Sequence, residues 1–123
     1  MHFYYIYSKF NFAYTAKNRN KATVLPTICK TYCLIKTQFH QDIIFFWSNN
    51  KQAFRQIEET LDTWCADKGI TFKCQALYTK EQNGGAEQSG QTLMEWLRSM
   101  QLEASLPLSL GPEAFLAASY ILN

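Results

Sequence analysis

The stretch LYTKEQNGGAEQSG, Leu77 to Gly90, sets one carboxylate, Glu87, just after Asn83, Gly84 and Gly85 and at the mouth of an apolar helical pattern. Two kinds of chemistry use such an arrangement. A carboxylate in the first turn of a helix is favoured by the helix dipole. A carboxylate held at a rim is also a hard oxygen ligand for a divalent cation such as magnesium. The other reactive groups are sparse. Cys29, Cys33, Cys65 and Cys74 form no Cys-x-x-Cys pair. Cys29 and Cys33 are spaced to share one face of a helix. They read as reduced, mostly buried thiols in preference to a zinc site or disulfides. His2 and His40 read as surface residues, Asp42, Asp62 and Asp67 as solvated carboxylates, and Trp47, Trp64 and Trp96 as anchors in or beside the core.

The elements that must position these groups follow from length and pattern. The 123 residues predict one domain, 1–123, with a modest core. Apolar residues at 47% and aromatics at 15% exclude a disordered chain, and a formal charge of +2 excludes a strongly basic nucleic-acid binder. The N-terminus MHFYYIYSKF lacks the charge and apolar run of a signal peptide, and no run has the length of a membrane span. An intracellular protein with no membrane partner is the expectation.

Residues 2–7 predict a strand, and so do residues 10–16, with Phe10, Phe12 and Tyr14 on a buried face opposite Asn11, Ala13 and Thr15. Val24, Leu25, Ile28, Tyr32, Ile35 and Phe39 predict a helix over 22–39, with Pro26 near its first turn. The apolar run 42–47 predicts a strand covered on both faces. A helix is predicted over 52–68, with Phe54, Ile57, Leu61 and Trp64 on one side and Gly69 at its end. A strand over 70–76, a helix over 87–103 with Leu93, Met94, Leu97, Met100 and Leu102 near one face, and a helix over 112–122 complete the order. The class is α/β, with a mixed sheet flanked by helices.

These residues also carry a resemblance. Tyr78, Thr79, Gln82, Asn83, Gly84, Ala86 and Glu87 resemble the Y-T-P-x-Q-N-G-x-A-E-R stretch of the integrase catalytic core of copia-type LTR retrotransposons, fungal ones in particular. Leu106, Pro107, Pro112, Glu113, Ala114, Tyr120, Leu122 and Asn123 resemble the L-P-x-x-x-W-P-E-A and Y-L-L-N signals that follow it. The segments FAYTAKNRNKATVLP and YCLIKTQF resemble the region between the first two acids of that core. Lys80 stands where the family has proline, Gln88 where it has a basic residue, and Leu110-Gly111 where it has tryptophan.

The resemblance implies a ribonuclease-H-like fold, truncated at both ends, without the upstream zinc-binding region and downstream basic domain. It implies a nuclear role in DNA integration, with DNA as partner and a possible homo-oligomer through helices of the core. It implies three carboxylates holding two Mg²⁺ or Mn²⁺ ions about 4 Å apart. Of these, Glu87 matches the third acid, and the glycine turn before it would aim it at the site. Asn49 replaces the second acid and Tyr5 the first. Neither supplies negative charge, so Glu87 alone is left for metal, no bound metal is expected, and the chain reads as a pseudoenzyme with no strand-transfer activity. A nucleic-acid or protein binding module without catalysis is the alternative. In the family, basic residues around the site touch phosphate. Lys73, Lys80 and Arg98, with Lys68 and the loop residue Asn83, are the matching candidates, although a solvated face is their ordinary role.

Overall fold

The computed structural model describes residues 1–18, 20–48, 57–74 and 84–123. These residues fall into two compact units, residues 1–16 with 84–123 and residues 17–83.

The first unit opens with a hairpin. Strand β1 (His2–Tyr5) pairs antiparallel with β2 (Phe10–Ala13), in the register Tyr5 to Phe10 and His2 to Ala13. Lys9 closes the turn with a left-handed φ of 59°. Both strands are shorter than the aromatic pattern predicts. Asn11 departs from its predicted place: it is 6% exposed and Phe12 is 7% exposed, so β2 is covered on both faces. Helix α3 (Gly84–Glu103) packs on β1, and helix α4 (Gly111–Leu122) packs on α3 and β2. The chain leaves α3 through Ser105 at φ 49°, with Leu106 N–H on the Gln101 carbonyl at 3.0 Å and Ser105 N–H on the Leu102 carbonyl at 3.3 Å. This is a Schellman end with serine in the glycine position. A 3₁₀ turn, Leu108–Leu110, then leads into α4, with Pro112 in its first turn.

The second unit contains α1 (Lys21–Gln38), β3 (Phe45–Ser48), α2 (Glu58–Asp67) and β4 (Thr71–Cys74). Asn20 caps α1, its side chain accepting from Thr23 N–H at 3.2 Å. Val24, Ile28, Thr31 and Ile35 form its buried stripe. Pro26 lies in the second turn, where it forgoes the N–H bond to the Ala22 carbonyl, because the cap is set earlier by Asn20. On α2 the stripe is Ile57, Leu61 and Cys65, at 1%, 0% and 0% exposure. The α1 and α2 helices meet where Tyr32 and Trp64 rings pack edge to face, centroids 5.4 Å apart. Gly69 ends α2 at φ 71°, with Ile70 N–H on the Cys65 carbonyl at 2.8 Å and Gly69 N–H on the Ala66 carbonyl at 3.1 Å. The glycine predicted as a stop is therefore the left-handed residue of a full Schellman motif.

Strands β3 and β4 run parallel, in the register Phe45 to Thr71 and Ser48 to Cys74. The α/β class holds. In place of one mixed sheet, the described strands form two two-stranded sheets, one antiparallel and one parallel. A tight turn suffices for the first, whereas the second needs a crossover, which contains α2. Among the described residues, no helix is long and apolar enough to cross a membrane.

Candidate functional site

Asn49, Lys80 and Asn83 lie outside the described residues. Tyr5, Glu87 and Arg98 belong to the first unit and Lys73 to the second.

Glu87 is exposed in the first turn of α3. That helix begins at Gly84, so Gly84 and Gly85 are its opening residues and do not form a turn before it. The predicted role of these glycines is corrected accordingly. A Cβ on Gly85 would lie 3.2 Å from Cε1 of Tyr4. The bare backbone of Gly85 is what lets the tyrosine ring rest on the helix. Leu93, fully buried, marks the inner face of α3, and Glu87 lies roughly 120° around the helix from it. The carboxylate therefore points away from the packed face.

Tyr5 alternates with Tyr4 and stands on the other face of β1. It is half-buried, its ring 6.4 Å from that of Tyr7. The arrangement sets Tyr4, and not Tyr5, against the opening of α3. Arg98 is exposed on α3. Lys73 is exposed on β4, its Nζ 4.9 Å from the centroid of the Phe45 ring. Among the described residues, no group of three or more His, Cys, Asp and Glu side chains is placed to hold a metal ion.

The dense polar cluster of the first unit centres on Asn11. Its Oδ1 accepts from His2 Nε2 at 2.8 Å and from the Ser89 hydroxyl. The acceptor fixes the ring tautomer: Nε2 carries the proton. The Asn11 backbone is gripped by the Asn123 carboxamide, with Asn11 N–H donating to Asn123 Oδ1 at 2.7 Å and Asn123 Nδ2 donating to the Asn11 carbonyl at 2.8 Å. Ser119 donates to the same carbonyl at 3.3 Å. The Asn123 amide thus occupies the free edge of β2 as a neighbouring strand would. His2 is consequently no surface residue. Burial pushes its pKa down, the Asn11 hydrogen bond opposes that, and the N-terminal charge adds to it. The signal for this cluster was an asparagine between phenylalanines in FNF, which alternation alone assigns to solvent.

The thiols differ more than their uniform reading predicts. Cys65 is buried, Cys29 intermediate and Cys33 exposed, and all three are free. Burial, then the Asp62 charge and Cys29, push the Cys65 thiol up to about 11. Trp96 is 42% exposed and so does not lie in the core itself, and Met94 and Leu102, at 41% and 82%, leave the predicted apolar face of α3.

No family model matches the chain. Over 107 residues, 85% of its length, it is 29% identical to the retrovirus-related Pol polyprotein from transposon TNT 1-94 of Nicotiana tabacum. The chain is related to a retrotransposon Pol polyprotein. It spans 8% of the length of that relative. The Pol relationship thus extends over most of this chain but concerns a small part of the polyprotein.

Proposed function

We propose that this Pol-related chain corresponds to the integrase catalytic core, with a ribonuclease-H-like ancestry and DNA as its inherited partner, and that it does not perform metal-dependent strand transfer. The observation that carries this reading is the donor set. The described carboxylate matching the third acid, Glu87, faces away from the packed side of α3, and the strand that should bear the first acid offers the half-buried phenol of Tyr5. Two divalent cations sharing a site need several anionic oxygens to offset their charge. One carboxylate and one phenol do not fit that pair, so no catalytic step is assigned to metal here.

Incubating the purified chain with supercoiled DNA and millimolar Mg²⁺ or Mn²⁺ tests the reading. The expected result is no nicking and no shift of the thermal midpoint by metal. A magnesium-dependent nick abolished by Glu87→Ala would overturn it.

A further inference from the structure

The β3–β4 sheet has two unlike faces. Phe46 and Phe72 stack on one, ring centroids 6.0 Å apart, beside Ser48 at 3% exposure. The other carries Phe45, Trp47, Thr71 and Lys73. Here Phe45 is 44% exposed and Thr71 and Lys73 are exposed. The Phe45 and Trp47 rings lie nearly parallel, 24° apart with centroids at 5.3 Å. The Lys73 ammonium stands over the Phe45 ring, and none of these four strand residues is acidic.

We propose that Phe45, Trp47 and Lys73 form a stacking surface for bases of single-stranded nucleic acid. A parallel sheet covered by protein on both faces reads as continuous apolar strands. Strand β4 instead alternates, Thr71 and Lys73 outward against Phe72 inward, the pattern of a face that meets water. Stacked on Phe45 by one face, the Trp47 ring keeps the other for a further flat ring, and a neighbouring ammonium complements the phosphate that accompanies a base. Such stacking requires an unpaired base, because both faces of a base are occupied inside a duplex. The proposal rests on the nucleic-acid part of the function proposed above and is independent of its account of the carboxylates.

The test is fluorescence anisotropy of a labelled oligothymidylate titrated with the full chain, beside a labelled duplex of equal length. Trp47→Leu keeps apolar bulk but removes the π-face and should weaken single-strand binding roughly 5- to 150-fold, and Phe45→Leu, which removes the ring that Trp47 stacks on, should weaken it less. Trp47→Phe, which keeps a ring, should retain most of the affinity. Lys73→Gln should lower the slope of log affinity against log salt by somewhat less than one. Unaltered binding by the leucine variants, or binding of the duplex alone, would overturn the stacking surface and leave DNA as partner. Binding of neither nucleic acid would remove both. Concentration-dependent dimerisation lost in Phe45→Leu, without oligonucleotide binding, would assign the face to a second copy and overturn the proposal.

Discussion

At the scale of single residues, charge state is set by what each group touches. His2 is held neutral in the fold by burial, so its folded pKa lies below the ordinary 6.5. Between those two values the unfolded chain binds the proton more readily, so acid favours unfolding. His2 therefore costs nothing above pH 6.5, and stability falls as pH drops from 6.5 towards the folded value. Thermal midpoints at pH 7.5 and 5 should differ more in the parent chain than in His2→Gln, and equal differences would remove His2 from the acid response. The same logic orders the thiols. The thiolate is the nucleophile, and Cys65 is both covered and pushed up to about 11, whereas Cys33 is exposed. Iodoacetamide at neutral pH should label Cys33 well before Cys65, as mass spectrometry of peptides would show. Neither prediction was available from the sequence. Spacing shows that Cys29 and Cys33 share a face, but the depth of that face depends on the helix packed against it.

At the scale of elements, local rules carried further. Gly69 ends α2 as a left-handed residue, and the apolar spacing of Val24, Ile28 and Ile35 marks the buried stripe of α1. These features depend on residues within one or two turns, which the sequence displays directly. The start of α3 was misread for the opposite reason. Gly84 and Gly85 look like a turn until Tyr4, some eighty residues away along the chain, is seen against the helix. This yields a paired prediction. Gly90 could carry a Cβ at 3.5 Å from His2 Nδ1, an ordinary contact, whereas on Gly85 it would press on the Tyr4 ring at 3.2 Å. Gly90→Ala should stabilise by up to about 1 kcal/mol through helix propensity. Gly85→Ala should gain clearly less or lose stability, because Tyr4 must shift. Urea unfolding of the two variants decides, and an equal gain in both would show that Tyr4 does not constrain α3.

At the scale of the whole molecule, Asn123 has a structural role. The Asn123 side chain closes the edge of β2 by gripping Asn11, 112 residues earlier in the chain. The first unit is thus assembled from the beginning and the end of the sequence. Alternation could place Asn11 on a strand but could not show that its edge is capped from so far away. Contacts of such separation carry a large loop-closure cost and are expected to form after local helices and the β1–β2 hairpin. Asn123→Ala removes three hydrogen bonds from a partly exposed edge, the one from Asn11 Nδ2 long at 3.3 Å, and should cost about 1–2 kcal/mol. That loss should fall on the unfolding rate, with refolding nearly unchanged, since an interaction absent from the transition state affects only the way out of the native state. Stopped-flow chevrons of the two chains separate the possibilities. An unfolding limb raised roughly 5- to 30-fold with coincident refolding limbs is expected. A slowed refolding limb would mean that the two ends of the chain meet early, with Asn123 part of the folding nucleus.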